Sequence, residues 1–242
     1  MKKAVVIGAT SAIGQELVKL LCTKNQLYLT GRDSAKLLSV VEDARVRGGN
    51  LVEYRAVDFS SEEGVDSLEA WLREMGGFSN AFILPGVLSN EDATFSEWHN
   101  DLKVNYLSPC YFSRLLCDLL SEEGGALVVV GSVAGDRGRQ SNGLYGSQKS
   151  ALETYLLALR HKMHGRSPRV SVAVAKPGFV NSPMTAGMPK SFLFSEPEKI
   201  AKGLLKRAEK RRSGSFYLPS WWWWILLVVR WLPDFVFLRT KL

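Results

Sequence analysis

A chain of 242 residues, 46% hydrophobic and 23% charged, is long enough for one large α/β domain with its own core. Its three cysteines, Cys22, Cys110 and Cys117, have neither metal-ligand spacing nor an even count, so a reduced, cytoplasmic setting fits best. The net charge of +7 is local: Lys199 to Leu242 holds ten Lys/Arg against two acids, and the remainder is close to neutral. That excludes a nucleic-acid-binding domain as the simple reading and points to a basic tail with its own partner.

Lys3 to Gly8 is a short apolar run suited to a buried parallel strand, and Met1-Lys2-Lys3 leads straight into it, so no signal peptide is expected. Gly8-Ala-Thr10-Ser11-Ala12-Ile13-Gly14 follows, and Gln15 to Leu21 then has helical spacing. Strand, glycine turn and helix in that order make a phosphate cradle: the backbone approaches a pyrophosphate closely and the helix start offers unpaired N–H groups. Gln26 to Gly31 reads as a second strand. An acid at its end would bond the ribose 2′-hydroxyl of NAD, but this chain has Arg32, whose planar fork suits a 2′-phosphate. NADP(H) is therefore expected over NAD(H), with Arg32 as the discriminator, Thr10 or Ser11 as helpers, and Asp33 capping the next helix.

Ala35 to Val46 is expected as that helix, stopped by Gly48-Gly49, and Leu51 to Val57 as the third strand. Ser60 with Glu63 reads as a capping box for a helix reaching about Arg73. Asn80 to Leu84 is a fourth strand. Trp98 to Asn105 and Leu107 to Leu120 form one helical region, with Pro109 marking a bend or a new first turn. Gly125 to Gly131 is the fifth strand, and Ser132 stands at its C-terminal end, where open α/β sheets bind ligands. Tyr145 and Lys149 are four residues apart, ahead of the helically spaced run Ala151 to Leu159. Positions i and i+4 share a helix face, so the ammonium can stand near the phenol and lower its pKa, giving a general acid/base. Arg169 to Ala175 is the sixth strand, ending at Pro177-Gly178, and Asn181 to Phe194 has the composition of a mobile substrate lid. His161 and His164 have no acid or cysteine with them, so no metal site is expected.

The glycine turn, Asn105, Ser132 and the Tyr145/Lys149 pair occur in the order of the short-chain dehydrogenase/reductase family, which the chain resembles from about Lys3 to Thr185. Three departures stand out: Ala12 replaces the middle glycine of the turn, and Leu84 and Pro85 replace two residues of the family's Asn-Ala-Gly, of which Gly86 is kept. The resemblance implies a doubly wound Rossmann sheet of about seven parallel strands and hydride exchange between a nicotinamide and a carbonyl. It implies Tyr145 as proton donor, Lys149 lowering the phenol pKa and holding the nicotinamide ribose, Ser132 orienting the carbonyl, and Asn105 supporting a proton relay. It further implies Asp58 beside the adenine, Gly86 against the cofactor, and Pro177-Gly178 touching the nicotinamide. Val180, with Ser182 or Thr185, would hold the carboxamide and pyrophosphate, and a homo-oligomer is common in the family.

Residues 1–195 thus read as the catalytic domain and 196–219 as its last helix and strand, followed by a Trp-rich basic tail, 220–242. Trp221 to Val229 is only nine apolar residues, too short to cross a membrane. Tryptophans beside arginines fit a segment lying at the headgroup level of an anionic membrane. The other reading of this apolar patch is a contact with a second subunit. A membrane-facing tail beside a lid points to an apolar or lipid-linked ketone, such as a ketosphingoid base or a polyprenyl-linked ketosugar. The contrasting function is a membrane-associated NADP(H)-binding protein with vestigial catalysis.

Overall fold

The computed structural model describes residues 1–120 and 124–239. The last three residues of the expected tail, 240–242, lie outside them.

Seven strands form one parallel sheet in the order β3-β2-β1-β4-β5-β6-β7. They are β1 (Lys2–Ile7), β2 (Asn25–Gly31), β3 (Val52–Ala56), β4 (Asn80–Ile83), β5 (Gly125–Val130), β6 (Val170–Pro177) and β7 (Gly214–Leu218). The order reverses direction between β1 and β4, so a crevice opens there at the carboxyl ends of the strands. Side chains alternate across the sheet and build two cores. Ala4, Val6, Ala126, Val128, Ala173 and Ala175 face one layer, beside α1 (Ala12–Leu21), α2 (Ser34–Val46) and α7 (Pro197–Glu209). Val5, Ile7, Leu127, Val129, Val172 and Val174 face the other, beside α3 (Glu62–Met75), α5 (Ser108–Leu119) and α6 (Gly143–Arg166). Each large aliphatic side chain so buried contributes about 1.5–3 kcal/mol.

Local chemistry explains most boundaries. Asp33 caps α2 by accepting from the Lys36 N–H at 3.0 Å, as expected. Helix α3 departs from expectation: its cap is Ser61, accepting from Gly64 N at 3.0 Å. Ser60 is unavailable because its N–H and hydroxyl both bond Asp58 Oδ1, at 2.9 and 2.7 Å. The expected helical region around Pro109 resolves into α4 (Phe95–Leu102), a π-helical turn (Lys103–Leu107) and α5, with Pro109 in the first turn of α5, where its missing N–H costs nothing.

The tail departs further. Helix α8 (Trp222–Trp231) and the short α9 (Asp234–Phe237) are docked on the domain. Trp222 is only 3% exposed and shares a third apolar cluster with Leu226 and Val133, flanked by Phe179, Leu193 and Tyr217. Arg137 donates to Leu232 O and to Asp234 Oδ1, both at 2.7 Å, and Arg230 donates to Asp136 at 2.9 Å. The inward indole was expected at a membrane surface; its helix instead presents one face to the protein and the other to solvent. No described helix is long and apolar enough to cross a membrane.

Candidate active site

The crevice is a cleft of about 550 Å³. At one end lies the β1–α1 turn. Gly8 has φ of +87°, and a Cβ there would stand 3.1 Å from Pro85 N, so the two loops over the sheet can meet only at a glycine. A Cβ on Gly14 would stand 2.5 Å from Gly8 O, which explains the glycine that ends the turn. Ser11 caps α1 by accepting from Gly14 N at 3.0 Å. Thr10, Ser11, Ala12 and Ile13 line the cleft, and the Ala12 methyl is tolerated there; Gly14 supports the turn from behind. Arg32 and Asp58 line the same end. Asp58 is held below the usual carboxylate range mainly by its bonds from Ser60, with a smaller contribution from the Arg32 charge. Lys36, one helical turn beyond Arg32, also lines this end and was not singled out from the sequence.

At the other end α6 begins at Gly143, two residues before Tyr145, and Tyr145 and Lys149, one turn apart, share its inward face. Tyr145 is hydrogen-bonded to Ser132, which follows β5 and caps the 3₁₀ turn Val133–Asp136. The Lys149 Nζ lies 5.7 Å from the centre of the Tyr145 ring. Burial lowers the Lys149 ammonium to about 8. Burial also pushes the Tyr145 phenol up, and the Ser132 hydrogen bond offsets only part of this. The phenol was expected to be drawn down by Lys149. Burial dominates instead and moves the phenol up.

Asn105 sits in the π turn, fully buried and behind the cleft. Its amide exchanges two hydrogen bonds with the Val87 backbone, both at 2.9 Å, and donates to Gln148 at 2.7 Å. These contacts fix the loop after β4 next to Gly86, where a Cβ would meet Lys149 Nζ at 3.4 Å.

Pro177, Gly178, Val180 and Ser182 close the cleft from β6. A Cβ on Gly178 would lie 1.8 Å from Trp222 Nε1, so the indole of α8 fills the space a side chain would need. The loop Asn181 to Phe194 is tied down by Asn181 N to Ser195 O at 2.9 Å and by stacking of Phe179 on Phe194 at 5.3 Å. Among the described residues no cluster of His, Cys, Asp or Glu could hold a metal ion.

The glycine cradle, the continuous cleft and the cations at its far end fit a nicotinamide dinucleotide. With Ser132, Tyr145 and Lys149 at the carboxyl edge of a doubly wound sheet, they define an NAD(P)-dependent oxidoreductase. The family model for short chain dehydrogenases matches residues 2–191, and the chain belongs to that family. Over 240 residues it is 29% identical to an uncharacterized oxidoreductase of Mycobacterium tuberculosis, covering 97% of this chain and 95% of that one. It is 26% identical to carbonyl reductase family member 4 of Xenopus tropicalis over 220 residues, 84% of this chain and 89% of that one. Acetoin dehydrogenase YohF from Salmonella typhimurium superposes with a TM-score of 0.76 at 18% identity, covering 89% of this chain and 93% of that one. An alcohol dehydrogenase from the archaeon Thermococcus sibiricus, complexed with 5-hydroxy-NADP, gives 0.75 at 24% identity, covering 90% and 95%.

Proposed function

We propose that this protein is an NADPH-dependent reductase that converts a ketone to an alcohol, with Tyr145 as the proton donor. The observation that carries the reading is the convergence of Ser132, Tyr145 and Lys149 on one cleft, with Lys149 Nζ 5.7 Å from the Tyr145 ring and the glycine turn closing the far end. When bound, the reduced nicotinamide supplies the hydride. Arg32 and Lys36 at the adenosine end favour a 2′-phosphate. Thr10 to Ile13 hold the pyrophosphate, with Gly8 and Gly14 shaping the turn. Pro177, Gly178, Val180 and Ser182 hold the nicotinamide end. Ser132 orients the substrate carbonyl, and Tyr145 delivers its proton to the oxygen as charge develops there. A phenol that burial pushes up suits proton donation, the reductive direction. Lys149, cationic below about pH 8, stands beside the Tyr145 ring and bonds the ribose.

The substrate is apolar or lipid-linked. Support comes from the cleft walls, which include Leu84, Val87, Leu88, Val104, Met184 and Met188, and from Leu193 of the covering loop, which packs in the Trp222 cluster. On the outer face of α8 and α9, Trp224, Val228, Trp231, Phe235 and Leu238 are exposed at helical spacing, with Trp231 81% exposed. Arg239, exposed just beyond α9, accompanies them, so this face suits an anionic lipid surface. The test is turnover of apolar ketones with NADPH and NADH, in wild type and Tyr145→Phe. NADPH is expected to win by about 10-fold or more, from one charge-assisted contact. Tyr145→Phe is expected to lose at least about a thousandfold in kcat while still binding NADPH. Turnover retained in that variant overturns the role of Tyr145.

A further inference from the structure

The loop between Ser132 and Tyr145 carries two arginines with opposite circumstances. Arg137 is fully engaged by the tail, bonding Leu232 and Asp234 and covering the Phe237 ring at 3.9 Å. Arg139 lines the catalytic cleft, half-buried, and its Nε is shielded from solvent with no hydrogen-bond partner. No ion pair holds it among the described residues. The acid whose field reaches it is Asp136. That carboxylate is already taken: Oδ1 accepts from Lys176 and from Arg230, and Oδ2 accepts from Tyr217 at 2.9 Å. Arg139 therefore gives up part of its hydration without an anion in return, and it cannot deprotonate to relieve the cost. Asn142, in the same stretch of cleft wall, has a buried amide oxygen with no partner either. The dinucleotide phosphates belong at the other end, with the β1–α1 turn and Arg32. Two polar side chains with unused bonding capacity thus stand on the wall that leads to Tyr145.

We propose that Arg139 is an anion-binding subsite and that the ketone substrate carries a carboxylate or phosphate which the guanidinium receives, its apolar part lying against Leu88, Met184 and Met188. This deepens the reductase reading and rests on it for the word substrate. The subsite itself is a binding property and is measured without turnover. A planar fork takes two oxygens of either group at once, so both chemistries fit the same geometry. Asn142 is the partner for a hydroxyl or amide beside that anion.

The experiment titrates octanoate, octyl phosphate and 1-octanol onto the full-length, NADPH-saturated protein by calorimetry. Wild type is expected to bind at least one anion about 10- to 100-fold more tightly than the alcohol, the range of a charge-assisted hydrogen bond. Arg139→Met and Arg139→Gln should bring the ratio towards one, and Arg139→Lys should keep part of it. The preferred anion distinguishes carboxylate from phosphate. NADPH affinity, measured for each variant, reports whether it is folded. Equal binding of anion and alcohol by wild type, or a preference that survives in both neutral variants, overturns the subsite. A loss of NADPH affinity in a variant with native circular dichroism assigns the guanidinium to the cofactor and overturns it too. Failure of the reductase reading has a different signature: anion preference intact, with no ketone reduced.

Discussion

Lys149 is a charge placed almost entirely inside the protein, and its titration has a readable sign. Burial brings its pKa to about 8, below the ordinary lysine value of about 10.4. As pH rises the folded chain sheds this proton first, so between these two values the unfolded chain holds more protons. The site's contribution to stability therefore increases with pH through that window, and its cost is borne in full below pH 8. Wild type is expected to gain roughly 3 kcal/mol on Lys149→Met between pH 7 and pH 10, at about 1.4 kcal/mol per pKa unit. Urea denaturation of both proteins at several pH values measures it, and a constant gap would mean that the ammonium is not desolvated. The i, i+4 spacing of Tyr145 and Lys149 was legible because a helix turns its own neighbours to one face. The direction of the phenol shift was not, since it depends on what the rest of the chain packs over it.

At the scale of elements, α8 and the turn after β5 act as one unit. Lys176, 1% exposed, is paired with Asp136 and, at 2.6 Å, with Glu153; Tyr217 and Arg230 complete the Asp136 shell. Removing one member would strand buried charge, so this set locks β6, β7, α6 and α8 to the segment that begins with Ser132. Trp222 presses the same assembly against Gly178. Gly178→Ala has no room for its methyl, 2.0 Å from Trp222 Cε2. It is expected to lose about 1–3 kcal/mol, the usual cost of overpacking, and to lower kcat by shifting the turn proposed to hold the nicotinamide. Adding Trp222→Leu should recover part of both losses. Denaturation midpoints and steady-state rates check this, and a Gly178→Ala protein of unchanged stability would refute the close packing. Sequence reading took Gly178 as a cofactor contact and Trp222 as lipid-facing; their mutual exclusion joins residues 44 positions apart.

For the whole molecule, the cleft opens on one side of a sheet whose last helices turn an aromatic and basic face outward. If that face meets lipid, the full chain should float with vesicles containing about one-third phosphatidylglycerol and be released by salt, because screening weakens the basic contribution. Trp231→Ser with Phe235→Ser should remove flotation and leave NADPH binding in place. Recovery of wild type in the lipid-free fraction at low salt would sink the membrane reading. A concentration-dependent dimer in the same sample would assign the face to a second copy.

The sequence by itself determined the fold class, the glycine turn and the Ser132, Tyr145 and Lys149 set. These signals are local: strand periodicity, a turn with glycine at both ends, and a pair one helical turn apart. It also marked the C-terminal region as apolar and basic. Only the tertiary structure decided which indole faces inward, which of two neighbouring arginines is engaged, and where each carboxylate finds its partner. Those outcomes follow from which distant segments exclude water from one another, and no local spacing encodes that.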